Sequence, residues 1–133
     1  MLYFADFDYY ERYQEYLTGM RYRKLAFGPV PLFIESFLQY LMERKDLQRI
    51  KCRYQGYVQT RYLPLQSPDR SLLSARELGV IDDVIRRFSD LSAAAISAIS
   101  HNDQPWILSA NGTEIDYKLV RLRQSQNSFE RKS

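Results

Sequence analysis

The stretch that decides the fold reads Gly19-Met20-Arg21-Tyr22-Arg23-Lys24-Leu25-Ala26-Phe27-Gly28-Pro29-Val30-Pro31. Gly28 adopts a positive φ without steric cost, and Pro29 fixes φ at about −65°. Val30 precedes a proline and is expected to be extended, whereas Pro31 suits the first position of a helix. The stretch therefore predicts an extended segment over residues 20–27, a rigid corner, and a helix that starts at Pro31. Such a corner is typical of a recognition module rather than of an active site.

Two helices are predicted to flank this stretch. Residues 2–16 carry apolar or aromatic side chains on nearly every side of a helix, and seven of the first sixteen residues are Phe or Tyr. A helix of this kind is usually buried among other elements, and we expect Thr18-Gly19 to close it with glycine in the C-terminal cap. Residues 31–45 form the clearest amphipathic helix, because apolar residues recur at helical spacing. They are Phe33, Phe37 and Leu41, joined by Ile34, Leu38 and Met42.

Residues 49–65 change to a period near two and are rich in Ile, Tyr, Val and Thr. This pattern predicts two β-strands. Gln55-Gly56 between them suits a short hairpin turn, and Pro64 ends the second strand. Residues 65–73 are predicted to be a loop.

The remaining helices are signalled by their caps. Ser74 and Glu77 form a capping box, and an apolar helical stripe follows at Leu78, Ile81, Val84, Ile85 and Phe88. Ser92 is expected to cap a second helix that runs to about residue 100 with Ile96 and Ile99 pointing inward. A short last helix is predicted over 116–123, and the polar residues 124–133 are predicted to be a disordered tail.

These elements predict a predominantly α fold with a small antiparallel β-hairpin, of the α+β class. With 133 residues, 45% apolar and 26% charged, the chain is expected to form one compact helical bundle over residues 1–123. It contains no apolar run of about 18 residues, so no membrane span is expected. Acidic residues stand where a signal peptide would be basic. Cys52 is the single cysteine and gives no disulfide, so a reducing, cytoplasmic location is expected.

The charge is unevenly placed. The formal net charge is +3, and the excess falls within residues 121–133, so residues 1–120 are balanced. Residues 44–61 nevertheless carry six bases against one acid, Asp46. A dipolar surface of this kind steers partners without making the whole protein a binder of polyanions.

Three groups of residues occur in order along the chain. The first is Leu2-Tyr3-Phe4-Ala5-Asp6-Phe7 with Tyr13, and the second is Thr18-Gly19, Tyr22, Lys24 and Phe27-Gly28-Pro29-Val30-Pro31. The third is Leu91-Ser92, Ser100-His101, Pro105-Trp106 and Ile115-Asp116-Tyr117. Together they resemble the Panacea domain, the SocA-like antitoxin family of bacterial and phage toxin–antitoxin systems. The resemblance covers the chain to about residue 120.

The resemblance implies a mainly helical fold with a small β element, no enzymatic activity, and a toxin as the protein partner. It also implies structural roles for the motif residues Asp6, Gly19, Tyr22, Gly28, Pro29, His101, Trp106 and Asp116. One departure concerns Met1, which stands where members of the family usually carry helical sequence. We expect either a start further upstream or a shortened first helix.

The motif residues that resemble a catalytic site are His101 and Trp106, with Asp6 or Asp116 as an orienting carboxylate. A catalytic pair needs a nucleophile or a metal within reach, and Cys52 is expected to face inward from a strand. We therefore expect His101 to bond at a helix end and Trp106 to fill the core with its indole N–H satisfied. The scattered His, Cys and carboxylates give no metal-ligand spacing, and no cofactor is predicted.

Asp6 lies in a strongly aromatic helix, so we expect its carboxylate to be at least half-buried and to need a partner. The Tyr22 hydroxyl, Lys24 and a backbone N–H near Gly28 are the candidate partners. A polar clamp that holds the corner to the helix is the favoured interpretation.

The basic hairpin has three interpretations. Its Arg and Tyr residues suit a solvated strand face, a protein interface, or a nucleic-acid surface, and the last ranks lowest. We expect partner-binding anchors at Tyr9, Tyr13, Arg53 and Tyr57. The favoured function is a non-catalytic antitoxin module that neutralises a cognate toxin, encoded by an adjacent gene, by direct binding. An adaptor that delivers a bound protein to another machine and a nucleic-acid-binding module are the alternatives, and self-association stays open.

Overall fold

The computed structural model describes residues 1–123, so the predicted disordered tail lies outside the described residues. The α-helices are α1 (Leu2–Tyr13), α2 (Ile34–Glu43), α3 (Ala75–Phe88), α4 (Ala93–His101) and α5 (Gln104–Ile107). The strands are β1 (Tyr22–Leu25), β2 (Gly28–Pro31), β3 (Leu47–Tyr54) and β4 (Tyr57–Pro64). A 3-10 turn covers Arg70–Leu72 and a 3-10 helix covers Tyr117–Leu122. The predicted α+β class is confirmed.

The described chain divides into two compact units. One comprises Met1–Leu32 together with the residues from Leu73 onward, and the other is Phe33–Leu72. The first unit contains α1, the β1–β2 sheet, α3, α4 and α5, and the second contains α2 and the β3–β4 hairpin.

The aromatic first helix forms the centre of the first unit, as its composition predicts. Phe7 is fully buried and stacks on Tyr117 with ring centroids 4.2 Å apart, and Phe4 stacks on Phe88 at 4.8 Å. Tyr3 packs edge-to-face on Tyr22 at 5.7 Å. Offset and edge-to-face ring pairs of this kind add to the free energy gained by burying the rings. The sequential aromatic residues therefore supply one continuous core.

The predicted end of the first helix is wrong. The helix stops at Tyr13, because Gln14 takes φ 55° and its N–H donates to the Tyr10 carbonyl at 2.8 Å. Thr18 does not cap the helix, since its N–H donates to Asp6 at 2.8 Å and so folds the chain back on α1. Gly19 has φ 73° and serves this return toward β1.

The predicted helix start at Pro31 is also wrong. Residues 28–31 form β2, which pairs with β1 in antiparallel register, Tyr22 opposite Pro31 and Leu25 opposite Gly28. The Leu32 N–H then donates to the Arg21 carbonyl at 2.8 Å, which extends the pairing past Pro31. Prolines fit here because an edge strand does not need their missing N–H. The helix α2 begins only after Phe33, which has φ 59°.

The second unit contains the predicted hairpin. β3 and β4 pair over their full lengths from Leu47 opposite Pro64 to Tyr54 opposite Tyr57. Gln55 and Gly56 both have positive φ, 47° and 83°, as a two-residue type I′ turn requires. The α2 helix has no buried residue, so its amphipathic pattern is not matched by a buried face.

Local capping signals are confirmed in α3 and α4. Glu77 N–H donates to the Ser74 hydroxyl at 3.2 Å and Ser74 N–H donates to the Glu77 carboxylate at 2.9 Å. Ser92 accepts from the Ala95 N–H at 3.1 Å. The buried residues of α3 are Val80, Val84 and Phe88, whereas Ile85 of the predicted stripe is half-exposed.

Candidate partner-binding site

Asp6 is fully buried and is held by two segments that follow α1. The Tyr22 hydroxyl donates to Oδ2 at 2.5 Å, and the Thr18 N–H and hydroxyl donate at 2.8 and 2.6 Å. Burial first, and then the Asp6 charge, raise the pKa of Tyr22 above its usual range. The predicted Tyr22 partner is therefore confirmed, and the Asp6 cluster fastens β1 and the preceding turn to α1.

Lys24, the second predicted partner of Asp6, lies elsewhere. Its ammonium group donates to the Ser109 carbonyl at 3.0 Å and lies 4.0 Å from the centre of the Trp106 ring. His101 ends α4 as expected and stacks on Trp106 at 4.3 Å. The expected indole hydrogen bond of Trp106 is wrong, since the buried Nε1 of Trp106 and Nε2 of His101 have no hydrogen-bond partner among the described residues. Trp106 therefore contacts both His101 and Lys24 through the faces of its ring.

Gly28 takes the positive φ that its place in the motif predicts, at 131°. A Cβ at this position would lie 2.9 Å from the Ser100 hydroxyl oxygen, so β2 packs against α4 without room for a side chain. Pro29 pairs with Lys24 in the sheet. Asp116 is exposed and caps the 3-10 helix by accepting from the Lys118 N–H at 2.9 Å. These positions are consistent with structural roles.

A buried ionic cluster around Arg123 was not predicted. The Arg123 side chain donates to Asp103 at 2.9 and 3.0 Å, to Asp8 at 2.7 Å and to Glu11 at 3.1 Å. Arg87 also pairs with Asp8. Burial lowers the pKa of Arg123, but the charges of Asp103 and Asp8 outweigh this and raise it above its usual value. The signal that the sequence does carry is Asp8, which like Asp6 is an acid in a strongly aromatic helix.

The four predicted anchors are placed differently from one another. Tyr9 is only 4% exposed, so its expected role as an accessible anchor is wrong: it lies on the core side of α1, where its ring packs against Tyr13 at 4.8 Å. Tyr13 is half-buried. Arg53 and Tyr57 are exposed.

The hairpin register separates the last two anchors. Arg53 lies opposite Val58, so these two share a face, and Tyr57 points to the other face. Lys51 and Arg49 share the Arg53 face because they are two and four residues away. Arg53 and Tyr57 therefore cannot form a single anchor, whereas three bases do line one face.

Tyr13 lies in a groove between α1 and α3 that we call the arginine groove. It has a volume of about 330 Å³, and its charged and aromatic lining comprises Arg12, Tyr13, Arg76, Asp83 and Arg86, with Gly79 among the backbone that lines it. The guanidinium carbons of Arg76 and Arg12 lie 4.8 and 5.6 Å from the centre of the Tyr13 ring. Tyr13 was predicted from the sequence but the arginines were not, because their proximity depends on how α1 packs on α3.

A second groove lies beside β2 and α4. It has a volume of about 310 Å³ and is mainly apolar, with Leu2, Pro29 and Ile96 among its lining residues. Phe27, at the β1–β2 turn, also lines it and is 89% exposed.

The family model of the antitoxin SocA-like Panacea domain matches residues 1–107. The chain belongs to the SocA-like Panacea family. The match includes the Asp6 cluster and the arginine groove, while Asp116 and Arg123 of this Panacea chain lie beyond the matched residues. Neither a curated protein nor a solved structure matches the chain.

Two features are absent from the described part of this Panacea chain. Within residues 1–123, no group of three or more His, Cys, Asp or Glu side chains is placed to hold a metal ion. None of the helices in the described part combines the length and apolar character needed to cross a bilayer.

Proposed function

We propose that this chain is a cytoplasmic antitoxin that neutralises a cognate toxin by binding it directly and without catalysis. The observation that carries the proposal is its membership of the SocA-like Panacea family over residues 1–107. The half-buried Tyr13 with its neighbouring arginines, and the exposed Arg53 and Tyr57, support a binding surface, because Tyr and Arg are enriched among residues that dominate binding energy.

The test is co-expression with the reading frame adjacent to the gene. The chain should restore growth that the neighbouring product arrests, and the two proteins should co-purify as a stable complex. No rescue and no co-purification would contradict the antitoxin proposal. If growth is restored and the neighbouring product disappears from the cells, but no stable complex is recovered, the adaptor alternative is favoured.

The anchors are tested one at a time. Tyr13→Ala, Arg53→Ala and Tyr57→Ala should leave the fold intact, and at least one should weaken toxin binding by roughly 2 kcal/mol. Arg53 and Tyr57 lie on opposite hairpin faces, so unequal effects would identify the face in contact. Calorimetric titration measures the affinity. If all three variants bind the toxin as tightly as the wild type, the anchor assignment is wrong and the antitoxin function stays open.

Nucleic-acid binding is the second candidate, and the register supports it because Arg49, Lys51 and Arg53 line one face. Binding through phosphates must weaken steeply with salt, since each neutralised phosphate releases counterions. We expect only weak binding that physiological salt abolishes, because residues 1–120 are balanced in charge. A polarisation titration that holds sub-micromolar affinity at physiological salt would favour this candidate instead.

The non-catalytic part of the proposal concerns His101. His101→Ala should lower the melting temperature or leave it unchanged, because its ring packs on Trp106. A turnover activity of the pure protein that this substitution abolishes, with folding retained, would contradict it.

A further inference from the structure

Three aromatic side chains line one exposed side of α2. Phe33 stands directly before the helix, and Phe37 and Tyr40 follow at spacings of four and three, which places the three on one side. They are 77%, 43% and 52% exposed, respectively. The apolar residues of the adjoining side are half-buried, and they are Ile34, Leu38, Leu41 and Met42. The helix therefore packs by one side and presents rings to solvent from the next, which we call the aromatic face of α2.

The backbone at Phe33 is a second, independent observation. Phe33 is the N-cap residue of α2, where its carbonyl accepts from the Phe37 N–H at 3.0 Å and its φ is 59°. Left-handed backbone strains a bulky residue but not glycine, and N-cap positions favour side chains that accept a hydrogen bond. A phenyl ring accepts none, and this ring is not buried. Local stability therefore does not explain phenylalanine at this position, whereas contact with a partner does.

The charge of the second unit indicates which occupant suits the aromatic face. Residues 33–72 carry seven bases against four acids, a net charge of +3. A second copy of the chain that docked through its own α2 would bring two such units together, and like charges repel. The same field attracts a partner of negative charge and steers it to this surface. An acidic protein is therefore favoured over self-association.

Resting on the proposed function, we propose that the aromatic face of α2 docks into an apolar groove of the toxin whose rim is acidic. Anchors at i, i+4 and i+7 are the pattern by which an amphipathic helix occupies a groove, and aromatic residues are enriched among those that dominate binding energy. A membrane surface fits less well, because helices that lie on membranes carry Lys and Arg on their polar side. The polar side of α2 instead carries Glu35, Gln39 and Glu43.

The first experiment needs no toxin. The ¹⁵N-labelled full chain is titrated with a helical peptide of Leu, Ala and Glu, and with a copy in which Lys replaces Glu. The acidic peptide should shift the amide signals of residues 33–44, and about 0.5 M salt should weaken its binding at least about threefold. Equal shifts from both peptides, or no shift over residues 33–44, would overturn the proposal. Larger shifts of these signals with phosphatidylserine vesicles, or dimerisation that Phe33→Gly abolishes, would also overturn it.

The second experiment uses the toxin that the wild-type chain neutralises. Phe33→Gly should weaken toxin binding at least about tenfold, while the urea midpoint stays equal or rises because glycine accepts the φ of 59°. Phe37→Ala should also weaken binding about tenfold. Gln39→Ala, an exposed residue on the polar side of the same helix, is the matched control and should change affinity less than about threefold. A lower midpoint for Phe33→Gly with unchanged affinity would give the ring a structural role and overturn the proposal.

The outcomes separate the two proposals. If the wild-type chain and both aromatic-face variants bind the toxin with equal affinity, the docking inference is wrong and the antitoxin function stands. If the wild-type chain neutralises no toxin, the function fails, and the peptide titration still decides whether the aromatic face binds an acidic protein segment.

Discussion

Arg123→Leu is the substitution for which the structure gives the sharpest stability prediction. The wild-type guanidinium is buried, with 2% of the residue exposed, and it donates to Asp103, Asp8 and Glu11. After the substitution, Asp8 keeps its ion pair with Arg87. Within residues 1–123, the Asp103 carboxylate then keeps a single side-chain donor, the Tyr3 hydroxyl at 2.6 Å. The main penalty is therefore a buried carboxylate without a cation.

Removing one partner of a buried ion pair costs about 3–5 kcal/mol, out of a total stability of about 5–15 kcal/mol for a domain. With a urea dependence of about 1.5–2 kcal/mol per molar, the unfolding midpoint should fall by about 1.5–3.3 M. Arg121→Leu, an exposed position on the same 3-10 helix, is the control and should change stability by less than about 0.5 kcal/mol.

A second substitution tests the cause. Asp103→Asn in the Arg123→Leu background removes the unpaired charge and leaves an amide oxygen for the Tyr3 hydroxyl. It should recover part of the lost stability, although Asp103→Asn alone should destabilise the wild type. A midpoint shift below about 0.5 M for Arg123→Leu, or no recovery in the double variant, would refute the reasoning.

The pH dependence follows from Asp8. Burial raises its pKa, against the charges of Arg123 and Arg87, and loss of Arg123 should raise it further. An acid whose pKa is raised in the folded state contributes stability below its unfolded pKa and loses it as the pH rises through the folded value. The stability gap between Arg123→Leu and wild type should therefore narrow as the pH falls toward the ordinary Asp value of 3.8. A gap that widens on acidification would contradict this cause.

Three further substitutions have expected outcomes that thermal or urea unfolding checks. Gly28→Ala should cost about 1 kcal/mol or more, because φ is 131° and the new Cβ would lie 2.9 Å from the Ser100 hydroxyl; Ser100→Ala should reduce that penalty, and strict additivity would argue against the clash. Tyr22→Phe should cost about 1.5–3 kcal/mol, since it removes a buried hydrogen bond to the Asp6 carboxylate, and an unchanged midpoint would contradict that role. Gly56→Ala should destabilise the hairpin, whose turn needs φ 83°, and an unchanged unfolding transition would contradict this.

The family resemblance was the strongest prediction from the sequence, and the family match over residues 1–107 confirms it. The candidate site was predicted less well. Tyr13 was identified, but Tyr9 proved buried and the groove arginines were missed. Which face of an all-round apolar helix is covered depends on its neighbours, and α1 has no polar face to indicate the answer.

The sequence by itself determined the features that a few neighbouring residues control. The Ser74–Glu77 capping box, the Ser92 cap and the Gln55-Gly56 turn formed as predicted, because their donors, acceptors and φ values are local. Tertiary structure decided that Pro31 ends a strand, since the Leu32 N–H finds the Arg21 carbonyl of the neighbouring strand. It also brought Arg123 to Asp8, 115 residues away. Such contacts form only when distant parts of the chain pack together, so no local sequence pattern predicts them.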